Sequence, residues 1–189
     1  MKLINPLALA RHPRPGGEIS SAEQEIWEME GFESRLEPLK DGLYGFILKS
    51  LGFNEDAADV YQETVLRAFK YRKGFKRDRS FKTWIFSIAN NEVRRYFRKA
   101  KHTLSIDRET IFGMMPGKEA DKEQRVYEIF AAAAFLTERQ KRMFFLFYES
   151  GFSIREIAQI TGTTENNVKV TLNQSRARIR SHLGGSHET

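Results

Sequence analysis

The chain has 189 residues, 31 Lys+Arg against 25 Asp+Glu for a formal net charge of +6, and no cysteine. Without thiols there is no disulfide framework, thiolate metal site or cysteine nucleophile, which fits a reducing compartment and makes the cytoplasm the expected location. With 40% hydrophobic and 12% aromatic residues, there is apolar material for one large folded domain or two small ones.

Residues 1–17 contain Pro6 within a short apolar run and then Arg11, His12 and Arg14, and read as a mobile tail rather than a signal peptide. The longest later apolar run, Phe130 to Leu136, falls well short of the roughly 18 residues a membrane helix needs, so no membrane insertion is expected. The charge is unevenly spread. Residues 18–66 hold 3 basic and 12 acidic side chains, whereas residues 67–101 hold 13 basic and 2 acidic ones. The basic block is an electrostatic footprint for a polyanion, because lysine and arginine near phosphates release condensed counterions. A solvated helix face is the competing reading.

Hydrophobic spacing is helical nearly throughout, which predicts an all-α protein of two small helical domains joined by a flexible linker. A first helix carries Leu36, Leu39, Leu43, Phe46, Ile47 and Leu51 on one stripe and stops at Gly52. Asn54 is placed to cap a second helix, which turns Ala57, Val60, Tyr61, Val65, Ala68 and Phe69 inward and Asp59, Gln62, Glu63 and Leu66 outward. A charged loop from Tyr71 to Ser80 follows, and Ser80 caps a third helix. Its inward positions are Phe81, Trp84, Ile85, Ile88, Ala89, Val93 and Phe97, and its last turns are crowded with Arg94, Arg95, Arg98 and Lys99.

Periodicity fades after His102, and Gly113, Pro116 and Gly117 mark an interdomain linker over residues 102–124. The expected domains are therefore 18–101 and 125–183, with a C-terminal tail over 184–189. In the second domain, Thr137 with Gln140 and Ser153 with Glu156 have capping-box spacing, and Gly151 and Gly162 fall where helices should stop. A short helix SIREIAQI, a turn TGTT and a long helix ENNVKVTLNQSRARIRSHL form a helix-turn-helix, whose second helix can enter a major groove. Ile154, Ile157, Val168 and Leu172 form the expected seam, with Ala158 allowing close approach. Glu165, Asn166, Lys169, Thr171 and Asn173 are left outward to reach base edges, and Arg176, Arg178 and Arg180 to reach phosphates.

These residues resemble a known family. DAADVYQETVLRAF, then the aromatic and basic segment ending in SFKTWIFSIANN, then LTERQ and GFSIREIAQITGTTENNVKVTLNQSRARIR, look like a bacterial RNA polymerase sigma factor of the extracytoplasmic-function group, over about residues 32–183. The resemblance implies that the first domain, region two, binds the β′ clamp helices of core RNA polymerase through Asp59, Gln62, Glu63 and Leu66. It implies that this domain also captures melted minus-ten promoter DNA through Lys73, Phe75, Lys76, Arg77, Arg79, Phe81, Arg94 and Arg98. Region four is implied to bind the β flap and to read the minus-thirty-five duplex through Arg155, Thr164, Glu165, Asn166, Asn167, Lys169, Thr171, Asn173, Arg176 and Arg180. An anti-sigma factor is an implied partner, and a stress or envelope response an implied role.

The loop chemistry suits single strands, with aromatic faces at Phe75 and Phe81 beside cations. Trp84 lies on the apolar stripe and reads as core rather than as a stacking platform. Arg77 and Arg79 stand where the family often has small residues, and Thr171 and Gln174 where it often has arginine, which leaves the preferred bases open. A freestanding helix-turn-helix regulator is the alternative, but it leaves the basic block without a task. No enzyme, cofactor or metal is expected. The histidines His12, His102, His182 and His187 lack ligand spacing, and there is no phosphate-cradling glycine loop.

Overall fold

The computed structural model describes residues 31–75, 80–103 and 132–185. The expected N-terminal tail, most of the expected linker and residues 186–189 of the expected C-terminal tail lie outside these, as do Lys76, Arg77 and Arg79, whereas Gly184 and Gly185 of that tail belong to the last helix. The chain divides into two units, Met1–Glu37 and Pro38–Thr189. In the first, residues 31–36 are helical, with Phe32 and Leu36 buried. The second holds six helices among the described residues: α1 (Lys40–Leu51), α2 (Ala57–Tyr71), α3 (Phe81–Thr103), α4 (Glu138–Tyr148), α5 (Ile154–Thr161) and α6 (Glu165–Gly185).

Helix α1 ends where the sequence places its stop. Gly52 adopts φ 79° and ψ 40°, a left-handed conformation that costs glycine nothing and that satisfies the final carbonyls. The expected Asn54 cap is corrected. The residue preceding α2 is Asp56, which makes no side-chain cap, and Asn54 Oδ1 instead accepts from the Asp56 amide at 2.8 Å. Asn54 thus makes a turn ahead of the helix, a competing use of the same short side chain. It also donates from Nδ2 to the Tyr96 hydroxyl at 3.1 Å, and Tyr96 in turn donates to Asp56 Oδ2 at 2.9 Å.

Helix α2 buries Ala57, Val60, Thr64 and Ala68. The Thr64 hydroxyl satisfies itself on the Val60 carbonyl at 2.7 Å, so a polar residue completes an apolar stripe. Helix α3 begins with Ser80 Oγ accepting from the Thr83 amide at 3.3 Å, and buries Ile85, Phe86, Ala89, Asn90, Glu92 and Val93. Trp84 and Ile88, expected in the core, are only half-buried. The expected β′-facing helix, α2, and α3 are cross-linked by Arg67, which reaches Glu63 at 2.8 Å and the buried Glu92 at 3.0 Å.

The expected first domain does not stay whole, since residues 18–37 fall in the first unit; within the second unit its helices pack against those of the second domain, α1 on α4 and α3 on α5. Their shared core is a row of rings. Phe86 of α3 lies 5.6 Å from Phe46 of α1 and 4.9 Å from Phe152 in the α4–α5 connection, and both Phe86 and Phe152 are buried. Polar ties surround it. Asn90 Nδ2 donates to the Ile160 carbonyl at 3.3 Å and Lys82 Nζ to the Ser150 carbonyl at 2.7 Å, while Lys49 pairs with Glu149.

Burial, with the Asp56 hydrogen bond and charge, pushes the Tyr96 phenol up to about 12. The neutral phenol is thus favoured in the folded state, and its contribution is present below the ordinary tyrosine value of 10.0 and lost as pH rises toward 12. Stability measured by urea denaturation should therefore fall more steeply between these values in the parent than in Tyr96→Phe. The substitution itself should cost about 1 kcal/mol at neutral pH. Parallel pH profiles for the two proteins would contradict this account of the Asn54–Tyr96–Asp56 chain.

Candidate nucleic-acid interface

Helix α5 has eight residues, too few to stand alone, and its ends are fixed by local chemistry. Ser153 Oγ accepts from the Glu156 amide at 3.3 Å, and Glu156 Oε2 accepts from the Ser153 amide at 2.9 Å. The Ser153 hydroxyl also donates to Glu156 Oε2 at 2.7 Å, and this bond, with that from the Ser153 amide, holds the Glu156 carboxyl below its ordinary value against a smaller opposing effect of burial, with Lys82 adding to the lowering. At the other end Gly162 turns left-handed at φ 65°, and Thr163 N donates to the Ala158 carbonyl at 3.0 Å. Thr164 Oγ1 then accepts from the Asn167 amide at 3.2 Å and opens α6.

The seam between α5 and α6 contains Ile157, Ala158, Ile160, Val168 and Leu172, all buried. Along α6 the buried positions are Val168, Thr171, Leu172, Ser175 and Ile179, a stripe of three- and four-residue steps. This corrects one expected base-reading residue. Thr171 is 7% exposed and donates its hydroxyl to the Asn167 carbonyl at 2.7 Å. Its place between Val168 and Ser175 on the inner stripe leaves its methyl unavailable to a base.

The opposite stripe holds Asn166, Lys169, Asn173, Arg176 and Arg180, all exposed, and Arg155, Thr164, Glu165 and Asn167 are exposed nearby. Some are already engaged. Asn167 Nδ2 donates to Thr163 Oγ1 at 3.1 Å, and Arg176 donates to Asn173 Oδ1 at 2.8 Å and to the Tyr148 hydroxyl. Asn166 and Lys169 stand near the start of the helix, where a groove-bound helix reaches base edges.

A second surface forms where α2 gives way to α3. The rings of Phe75, Phe81 and Trp84 meet with centroids 5.6, 5.1 and 5.4 Å apart. Trp84 is therefore part of a half-buried aromatic platform rather than of the closed interior. Lys73 is exposed on the turn just before it. Arg94 and Arg98 are exposed on α3, but at 1.5 Å per residue Arg94 stands about 15 Å along the helix from Trp84. Arg94 also lines a cavity with Arg139 and Arg142 of α4, two residues that carry no motif in the sequence.

A third surface is the outer face of α2, where Asp59, Gln62, Glu63 and Leu66 are exposed, Leu66 at 64%. Arg67 holds the Glu63 carboxyl below its ordinary value, chiefly through their hydrogen bond. The face is fixed in position by the Arg67–Glu92 tie, whose signal in sequence is only the Glu63/Arg67 four-residue spacing. Among the described residues, no three acidic or histidine side chains gather to hold a metal, and no helix is long and apolar enough to cross a membrane.

Comparison with known proteins places these surfaces in one family. The family model Sigma-70 region 2 matches residues 36–103, and Sigma-70, region 4 matches residues 128–179. A probable RNA polymerase sigma factor of Haemophilus influenzae is 30% identical over 148 residues, covering 67% of this chain and 76% of that protein. The extracytoplasmic-function RNA polymerase sigma factor SigX of Bacillus subtilis is 26% identical over 163 residues, covering 82% and 84%. In fold, the chain is similar to the sigma factor RpoE of Bartonella quintana, solved in complex with the anti-sigma factor NepR. The TM-score is 0.69 at 22% identity, over 82% of this chain and 98% of that one. The chain belongs to the sigma-70 family of RNA polymerase sigma factors, in its extracytoplasmic-function group.

Because α5 is positioned by its cap, Ser153→Ala should lower stability by about 1 kcal/mol. The Glu156 carboxyl sits below its ordinary value, so its stabilisation is present above pH 4.5 and lost as pH falls through its folded value. Ser153→Ala should accordingly flatten the acid limb of a thermal-melting profile. An unchanged midpoint and an unchanged acid limb would contradict a positioning role for this cap.

Proposed function

We propose that this sigma factor binds core RNA polymerase and directs it to promoters of a stress or envelope response, with residues 18–101 acting as region two and 125–183 as region four. The carrying observation is that one chain presents both the polar and basic stripe of α6 and the aromatic platform Phe75, Phe81 and Trp84 beside Lys73. The stripe has the chemistry for duplex base edges and phosphates. Stacking on the platform contributes about 1–3 kcal/mol per base, which is useful only for bases already out of a duplex. A regulator that binds duplex DNA alone has no need of the platform.

Asn166, Lys169 and Asn173 are assigned base contacts, with Arg155, Arg176 and Arg180 on phosphates. The exposed face Asp59, Gln62, Glu63 and Leu66 is assigned to the β′ clamp helices, an acidic rim around one apolar anchor. The protein acts as a non-enzymatic regulator in the cytoplasm. An anti-sigma factor is its expected inhibitor, a reading supported by the complex of the similar sigma factor RpoE with the anti-sigma factor NepR.

Geometry requires an opening step. Elements named for positions minus ten and minus thirty-five lie about 25 base pairs apart, roughly 85 Å at 3.4 Å per step. A folded unit of some 150 residues measures on the order of 40 Å across. The packed arrangement of α1–α6 cannot span both elements, so the halves part on promoter DNA. Residues 104–131, fully extended, reach up to about 90 Å.

Mapping transcription starts made by purified core polymerase with this protein tests the reading. Discrete starts with a shared upstream pair of motifs are expected, and Leu66→Ala combined with Asp59→Ala should weaken polymerase binding by about tenfold. No promoter-dependent start, together with tight duplex binding by the protein alone, would favour the freestanding regulator.

A further inference from the structure

At the edge of the contact between the two halves lies a cavity of about 230 Å³, lined by Asn90 and Arg94 of α3, Arg139, Arg142 and Met143 of α4, and Thr161, Gly162 and Thr163 at the α5–α6 turn. Three arginines line it. Arg142 is only 9% exposed, and its Nε is buried without a hydrogen-bond partner. No carboxylate among the described residues forms an ion pair with Arg94, Arg139 or Arg142. Burial, and then the like charge of Arg94, opposed by Glu138 and joined by Arg139, pushes the Arg142 guanidinium down to about 10.

A buried cation facing two others is costly unless something neutralises it. The remaining chemistry is that of an anion receptor. Guanidinium forks match tetrahedral oxyanions, whose several oxygens can accept from more than one fork at once, whereas a single carboxylate supplies one charge and two oxygens. The cavity is roomy enough for a phosphate group and part of what it is attached to. Its walls come from both halves, so an occupant would tie α3 to α4 and to the helix-turn-helix, in register with the bond from Asn90 Nδ2 to the Ile160 carbonyl.

We propose that this cavity binds the phosphate group of a small soluble molecule and that the bound phosphate holds the two halves of the chain together. Apart from Arg94, which also stands among the expected minus-ten residues, the cavity's arginines lie outside the promoter and polymerase surfaces. It makes closure of the unit responsive to a phosphate-bearing ligand, which would stabilise the packed state and oppose the opening that promoter binding requires; only this last consequence rests on the function proposed above.

The test uses the full chain in chloride buffer at constant ionic strength, with thermal melting and calorimetric titration of inorganic phosphate, pyrophosphate and, separately, a short DNA duplex. Phosphate or pyrophosphate should raise the melting temperature of the parent. Arg139→Gln, at an exposed position, should keep the fold and bind about tenfold more weakly. Arg142→Gln gives a sign that a purely structural arginine would not. It should melt at or above the parent temperature without phosphate, because an unpaired buried charge is gone, and should lose the increment that phosphate gives. No stabilisation of the parent by either small anion, or equal stabilisation of parent and Arg139→Gln, would overturn the proposal. Protection by the duplex alone would also overturn it, assigning the arginines to the DNA backbone instead. Failure of transcription with intact phosphate binding would leave this site standing while removing the promoter reading.

Discussion

The packing of Phe86 between Phe46 and Phe152 is the contact on which the arrangement of the whole helical unit depends. It joins α1 and α3 of the first half to the α4–α5 connection of the second, and each ring pair, one tilted and one edge-to-face, adds about 0.5–1.5 kcal/mol beyond the area it buries. Around this dry centre the ties are polar and modest. A typical hydrogen bond such as Asn90 to the Ile160 carbonyl contributes about 1 kcal/mol net, and a half-exposed ion pair such as Lys49–Glu149 adds no more than about that. The rim therefore fixes alignment more than it adds strength. Gly45 belongs to this alignment, since a Cβ there would come within 3.2 Å of Glu149 Oε1, at the end of a flexible side chain that must shift. An interface so built holds a free chain closed and still permits the halves to separate when larger partners compete.

This economy shapes both surfaces proposed to meet DNA. The α6 stripe is oriented by the seam with α5, and α5 is held by its capping box and by Gly162, so the aim of Asn166 and Lys169 depends on a few local bonds rather than on a large core. The aromatic platform lies at the start of α3, the same helix that carries Phe86 and Asn90 farther along. One rigid helix thus links the surface suited to unstacked bases with the contact that keeps the two halves together. Arg94 sits on that helix too, at the cationic cavity, and the accumulation of positive charge there works against closure unless an anion is present.

Much of the local structure is legible in the residues. The capping boxes at Thr137 and Ser153 form as their spacing predicts, Gly52 and Gly162 end their helices, and Asp59, Gln62, Glu63 and Leu66 share an exposed face. These features depend on side chains within four residues of each other, so spacing carries them. What spacing misses is what a face meets. Phe86 falls outside the inward positions that spacing assigns to its helix and Phe152 lies between two helices, so neither is marked as core although both are buried. Arg142 sits in the charged run ERQKR, where nothing marks it for burial, yet it is 9% exposed. Thr171 reads as outward because it is polar, while its helical phase puts it on the buried stripe, where the Asn167 carbonyl satisfies its hydroxyl. Asn54 has the chemistry of a cap and uses it one turn early.

The central claim is that the free chain is closed through the Phe46–Phe86–Phe152 row and opens to act at a promoter. Pulsed electron-electron distance measurement between spin labels at Asp41 on α1 and Arg180 on α6, both exposed, tests it directly. The account predicts one short, narrow distance distribution for the free protein, broadened by Phe86→Ala, and a distribution several tens of ångströms longer in the complex with core polymerase and promoter DNA. A broad, long distribution already present in the free protein, or a distance unchanged in the promoter complex, would contradict it.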